Sequence, residues 1–393
     1  MKPADLRVAL FSGNYNYVRD GANQALNRLV DYLLRQGAEV RVYSPKVEEP
    51  AFPPAGELVG VPNVPIPGRG EYRLPLGFNA DVKRDLAAFA PNVVHVSSPD
   101  FTGHAAVSWA RDKGLPILAS VHTRFETYPR YYRMAFLEPV AVSILRRFYN
   151  RCDALVAPSE SMAAVLREQD MGDDIAIWAR GVDRTIFDPS RRDLAWRRSH
   201  NIGDDDVAIG FLGRLVLEKG LDVFTQTVEE LRKRGVAHKV LVVGAGPAKD
   251  FFKEQCPDAV FVGFQGGNDL GRAVASMDLL LNPSITETFG NVTLEAMASG
   301  IPVVAARATG STSLVHEGET GRLVTPGDTA GFADAVQAYI SDIALREAHG
   351  AAGERRSRDY AWDAINSAVA NVYLRLVSER GGAGSEPVQR LLA

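Results

Sequence analysis

The chain has 393 residues, of which 46% are hydrophobic and 23% charged, and its net charge is −4. Such a composition excludes disordered and fibrous classes and offers no bulk positive charge for a nucleic-acid partner. At about 100–200 residues per domain, the length implies two domains. Cys152 and Cys256 are the only cysteines and lack metal-ligand spacing, so they read as buried thiols of a reducing compartment. No apolar run approaches the roughly 20 residues that span a bilayer. Met1 to Asp5 carries no signal-peptide pattern, so the expected location is the cytoplasm.

In chain order, Arg7 to Phe11 is a short apolar run, followed by a turn-rich loop from Ser12 to Gly21. Ala22, Ala25, Leu26, Leu29, Val30, Leu33 and Leu34 then recur at helical spacing, and Gly37 stands where that helix should stop. Val40, Val42 and Tyr43 alternate with polar residues, as in a strand. Residues 50–77 are rich in Pro and Gly and read as a long surface loop. Strand-like runs return at Val93–Val96, Ile117–Val121 and Ala154–Ala157, with helical stretches between them. The polar stretch 188–206 reads as an inter-domain connection. Apolar runs resume at Val207–Leu212, Val240–Val243, Val260–Val262, Leu279–Leu281 and Pro302–Ala305, and three helices close the fold.

Continuous Val, Ile and Leu runs suit parallel strands buried on both faces. The pattern is α/β, with two doubly wound Rossmann-like domains facing a central cleft. The expected divisions are 1–187, a linker at 188–206, 207–360, a C-terminal helix at 361–380 returning to the first domain, and a mobile tail at 381–393.

The most informative segment runs from Asn282 to Gly300. A strand should end near Asn282 and a helix begin near Gly290. The first amides of that helix, around Gly290, Asn291 and Val292, would lack intrahelical acceptors and favour an anion. Glu287 lies before the helix and Glu295 within it, and ionised carboxylates can accept hydrogen bonds from hydroxyls. Phosphate beside hydroxyl-bearing groups describes a nucleotide sugar. Gly213-Arg214, followed by Lys219-Gly220, places a guanidinium and an ammonium at another strand end, where a diphosphate can be held. Gly244-Ala245-Gly246-Pro247 closes a further turn at the same sheet edge.

With these motifs in order over residues 7–376, the chain resembles the GT-B glycosyltransferases of the retaining family 4. Pro158-Ser159-Glu160 and Gly181-Val182-Asp183 also fit. Within that family it is most similar to bacterial α-mannosyltransferases and sulfoquinovosyl-diacylglycerol synthases, and is unlike glycogen or sucrose synthases. The resemblance implies that Arg214 and Lys219 hold the donor diphosphate, Glu287 the transferred sugar and Glu295 the ribose. Backbone at Phe289, Gly290, Asn291 and Val292 would meet sugar and phosphate. Gly213 would join the donor-binding residues, and Gly263 and Phe264 would border the base. In the first domain, Gly21 would approach the phosphates and His122 the donor sugar. Many relatives carry Gly-Gly where this chain has Asp20-Gly21, which leaves Asp20 open to a role toward donor or acceptor.

The implied activity is transfer of a hexose or hexuronic acid from a nucleoside diphosphate sugar, UDP favoured and GDP open, with retained configuration. No cofactor or metal is expected, because Asp204-Asp205-Asp206 lies in the connection and no Asp-x-Asp stands at a strand end. Arg124 to Phe136 mixes basic and aromatic residues, and Arg146, Arg147 and Arg151 follow. That mixture favours a lipid acceptor and a peripheral contact with the inner face of the cytoplasmic membrane. The alternative acceptor is a soluble glycan or small molecule. A nucleotide-sugar epimerase and a non-catalytic nucleotide-sugar binder are the other classes. The expected assembly is a monomer or weak dimer.

Overall fold

The computed structural model describes every residue except 19, 67–68, 128–133 and 384–393. The chain divides into two units: Met1–Ala179 together with the segment from Asp363 onward, and Arg180–Trp362.

In the first unit the strands are β1 (Arg7–Phe11), β2 (Glu39–Ser44), β3 (Glu57–Gly60), β4 (Asn63–Ile66), β5 (Arg69–Pro75), β6 (Val93–Val96), β7 (Ile117–Ser120), β8 (Ala154–Ala157) and β9 (Ile175–Ile177). Seven form one parallel sheet, in the order β3-β2-β1-β6-β7-β8-β9. The central strands β6, β7 and β8 are buried at every position, as uninterrupted apolar runs require. Four of the flanking helices begin at side-chain caps. Asp20, Asn79, Asp100 and Ser159 each accept the amide three residues on, satisfying a donor that the helix itself cannot. The first helix, Gly21–Arg35, buries Ala25, Leu26, Leu29, Val30 and Leu33. Leu34, expected on the same face, is 40% exposed.

The expected loop at 50–77 is not one. β3 extends the main sheet beside β2, and β4 and β5 pair antiparallel, with Val64 opposite Leu74 and Pro65 opposite Arg73. Proline is tolerated there because a two-stranded ribbon leaves one edge of each strand unpaired. The short edge strand β9 also went unread.

The second unit contains β10 (Ala208–Leu212), β11 (Lys239–Val243), β12 (Val260–Gly263), β13 (Leu279–Asn282), β14 (Val303–Ala306) and β15 (Gly321–Val324). They form a six-stranded parallel sheet, in the order β12-β11-β10-β13-β14-β15. Phe211, Phe224 and Phe252 meet edge to face between sheet and helices, with centroids 5.2–5.6 Å apart.

Residues 188–206, expected as a connection, are built into this unit. Arg197 is fully buried. Its Nη1 donates to the Ser276 carbonyl (2.6 Å) and Asp278 Oδ2 (2.9 Å), and its Nη2 to the carbonyls of Asp206 (2.6 Å) and Gly203 (3.1 Å). Arg192 takes the other oxygen of Asp278 at 2.7 Å. A polar composition therefore served an internal ion cluster, which burial permits when its charges are paired. The last helix, Trp362–Ala383, packs on the first unit through buried Tyr373 and ion pairs Arg375–Asp174 (2.6 Å) and Arg380–Asp153 (2.7 Å). Among the described residues, no helix is long and apolar enough to cross a membrane.

Candidate donor site

In the second sheet, β10 and β13 are neighbours, although two strands and their helices separate them in the chain. The winding reverses there, so the loops leaving their carboxyl ends open a crevice. The first loop carries Gly213, Arg214 and Lys219. The second carries Glu287, Phe289 and Gly290.

Backbone sterics set the shape of both loops. Gly244, at φ +145°, passes so close to the first loop that an added Cβ would lie 1.9 Å from the Gly213 carbonyl oxygen. Hydrogen bonds from Gly213 N–H to the Val243 carbonyl and from Leu215 N–H to the Ala245 carbonyl, both 3.0 Å, hold the two segments together. This is the physical use of the Gly-Ala-Gly-Pro turn. Gly290, at φ +100°, turns the second loop into the helix Asn291–Ala298, and no side chain caps that start.

Across the loops, Lys219 Nζ donates to Glu287 Oε1 at 2.6 Å, and the Glu287 side chain is 15% exposed. Thr286 Oγ1 donates to the Glu218 carbonyl at 3.2 Å and ties the loops a second time. Arg214 is exposed on the same loop, and the described residues give its guanidinium no ion-pair partner. Glu295 lies four positions beyond Asn291, on the same helix face. Loss of hydration, and then the charge of Glu287, push its carboxyl up to about 8. A carboxyl raised this far can donate as well as accept, so Glu287 and Glu295 are chemically distinct although both are glutamates.

That shift has a stability consequence. The folded value, about 8, exceeds the ordinary 4.5. The contribution is thus fully present below pH 4.5 and is lost as pH rises through 8. Glu295→Gln should melt like the parent in acid and clearly higher above pH 8. Superimposable melting curves across that range would contradict the shift.

The remaining expected residues fall as follows. Gly263 ends β12, and its carbonyl accepts Gly244 N–H at 2.8 Å. The Phe264 ring that follows is 73% exposed. The Phe289 side chain is buried edge-on against Tyr360, with centroids 5.9 Å apart, which leaves its backbone for the crevice. Asn291 and Val292 form the first turn of the uncapped helix. Gly21 and His122 belong to the first unit, so the loops of the second bring together the other expected residues without them. Gly21 opens the helix Gly21–Arg35. Asp20 is the cap of that helix, accepting Asn23 N–H at 2.8 Å. His122 follows β7, with its Nε2 2.8 Å from Ser120 Oγ.

Sequence reasoning missed Gly310. An added Cβ there would lie 2.7 Å from the Glu287 carbonyl oxygen and 2.8 Å from that of Phe289, so this glycine lets a third loop brace the second. Its only signal was a Thr-Gly-Ser turn after β14. The two thiols are inert: burial pushes Cys152 up to about 12 and Cys256 up to about 11.

Comparison with known proteins places this geometry. A profile described as "Glycosyltransferase Family 4" matches residues 19–185, and one described as "Glycosyl transferases group 1" matches 206–342. A GDP-mannose-dependent alpha-mannosyltransferase of Mycolicibacterium smegmatis is 33% identical over 95% of this chain and 99% of its own length. One from Corynebacterium glutamicum is 30% identical over 95% and 90%. The sulfoquinovosyl transferase SQD2 of Arabidopsis thaliana is 30% identical over 93% and 72%. Among solved structures, a sucrose-phosphate synthase from Thermosynechococcus elongatus superposes with a TM-score of 0.79 over 95% of this chain and 99% of that one. At 20% identity, that likeness bears on the fold alone. WaaG, a glycosyltransferase involved in lipopolysaccharide biosynthesis, gives 0.69 at 19% identity, over 93% of this chain and 99% of its own. The chain belongs to the family 4 glycosyltransferases of GT-B fold and is a hexosyltransferase.

Proposed function

We propose that this chain moves a hexose or hexuronic acid from a nucleoside diphosphate sugar to a hydroxyl of a membrane lipid, retaining configuration and using no metal. The donor half rests on the Lys219–Glu287 pair at the strand-order reversal, beside an uncapped helix start. Lys219, Arg214 and the amides of Asn291 and Val292 neutralise charge growing on the departing diphosphate. Glu287 takes hydroxyls of the transferred sugar and Glu295 those of the ribose. The exposed Phe264 ring and Gly263 border the base, and His122 is a further sugar contact. GDP-mannose leads among donors, because two relatives aligned over at least 90% of their length are named for it. UDP-sugars, first in the sequence reading, come second.

The acceptor half rests on the helix Glu138–Tyr149. Leu145, Phe148 and Tyr149 are buried on its inner side. Phe136, Val140 and Ile144 follow one another at spacings of four residues and are 76%, 55% and 55% exposed, with exposed Arg147 beyond them. An apolar stripe beside a cation suits the interface of an anionic membrane. Of the basic and aromatic stretch that first suggested a lipid, residues 128–133 lie outside the described residues.

Two measurements test the proposal. At a hundredfold excess over its dissociation constant, the true donor should stabilise by about 2.7 kcal/mol, a rise of roughly 5–10 °C in melting. If neither GDP-mannose nor any UDP-sugar raises the transition, the donor site is wrong. Phosphatidylglycerol vesicles at low salt should retain the protein, and Ile144→Glu should weaken retention at least about fivefold. Failure of the parent to bind vesicles would leave a soluble glycan as acceptor.

A further inference from the structure

Behind His122 runs a chain of buried hydrogen bonds that the donor site does not account for. Ser120 Oγ lies 2.8 Å from His122 Nε2 and 2.8 Å from His95 Nε2, and His95 Nδ1 lies 2.5 Å from the Tyr373 hydroxyl. His95 and Tyr373 are fully buried, and Ser120 is nearly so. Trp178, also buried, meets both imidazoles edge-on, at 6.1 Å from His95 and 5.4 Å from His122. His95 stands on β6, Ser120 ends β7 with His122 just beyond it, and Tyr373 belongs to the last helix; all four residues lie in the first unit.

The direction of the chain follows from its buried end. Among the described residues, His95 is the sole hydrogen-bond partner of the Tyr373 hydroxyl, so the phenol hydrogen goes to Nδ1. Burial keeps His95 neutral, its titration lowered to about 3. The ring therefore carries one N–H, and that is at Nε2. Nε2–H donates to Ser120 Oγ, and the single Ser120 hydrogen is then directed at His122 Nε2. The reverse direction would bury the phenol hydrogen without an acceptor, at the desolvation cost of that group.

We propose that Tyr373, His95 and Ser120 are positioning residues that hold His122 as its Nδ1–H tautomer, with Nε2 committed as an acceptor. The ring then meets the donor sugar as a hydrogen-bond donor through Nδ1. This last step rests on the reading of His122 as a sugar contact, whereas the tautomer does not.

Long-range 1H–15N correlation on the full-length, histidine-labelled protein at neutral pH tests the relay, with His122→Asn supplying the assignment. The expected spectrum shows His95 protonated at Nε2 and His122 protonated at Nδ1. Tyr373→Phe should remove the single-tautomer signature of His122 and lower kcat roughly tenfold, with KM for the donor little changed. Should that variant fail to fold, Ser120→Ala cuts the same chain at its middle link, with the same expected spectrum. An Nε2–H tautomer of His122 in the parent, or a His122 signature that survives either substitution, overturns the relay. A tautomer that switches while kcat stays constant upholds the relay and removes His122 from the donor site.

Discussion

Lys219→Ala is expected to lower kcat about a hundredfold, with a smaller effect on KM. On the proposed mechanism, negative charge grows on the diphosphate as the sugar departs, and an interaction that strengthens toward that state acts on kcat. Loss of one such charged donor costs on the order of 3 kcal/mol, or about a hundredfold. A second effect adds to the first. The ammonium sits 2.6 Å from Glu287, whose side chain is largely buried and lies near Glu295. Without Lys219, the Glu287 charge stands uncompensated in the crevice where an anionic substrate must enter. Lys219→Arg should recover part of the rate, because a guanidinium keeps the charge but changes its geometry. The measurement is steady-state kinetics with the donor that the melting panel selects. Turnover within threefold of the parent would remove Lys219 from the chemistry, whatever its pairing in the free chain.

The largest expected effect on stability belongs to Arg197→Ala. Its fully buried guanidinium joins Asp278 and three backbone carbonyls, and Asp278 also accepts Ala208 N–H at 2.7 Å, at the start of β10. Removing one member of a buried ion cluster leaves its partner charged and dry, which costs about 3–5 kcal/mol. At roughly 2–4 °C per kcal/mol, the second unit should melt about 10 °C lower. Arg192 still binds Asp278, which limits the loss. Arg197→Lys should recover less than half, since one ammonium cannot span the donors of a planar fork. A change in melting below about 2 °C would show that the cluster contributes little beyond its own desolvation.

Glu295 illustrates how the site depends on context. In the sequence it is an acidic residue one turn into a helix, where an ionised carboxylate would be ordinary. In the fold, the walls of the crevice strip its water and Glu287 stands nearby, so the proton stays. Substrate binding can reverse that, because neutralising Glu287 or replacing lost hydration alters both causes of the shift.

Much of the architecture was legible beforehand because it rests on local physics. Val, Ile and Leu runs marked β6, β7, β8 and the central strands of the second sheet, since strands buried on both faces tolerate little else. The helix start at Gly290, the E-x7-E spacing and the Lys219 loop were legible for the same reason: each is written within twenty consecutive residues. Where local chemistry and tertiary use diverged, the reading failed. Pro65 and Pro75, within the stretch read as a loop, stand in a two-stranded ribbon whose open edge accepts them. The polar stretch 188–206 suggested a tether, but Arg192 and Arg197 had a buried partner 81–86 positions away.

By itself, then, the sequence left the edge strands β3, β9 and β15 unread but determined the α/β class, the central strands of both sheets, and the family. Those features follow from side-chain periodicity, backbone freedom at glycine and motif spacing, all short-range. Only the tertiary structure decided that Lys219 and Glu287, 68 positions apart, share one hydrogen bond, that Glu295 keeps its proton, and that Tyr373 reaches His95 across 278 positions. Each depends on strand order and on the water that packing removes. No linear spacing records either.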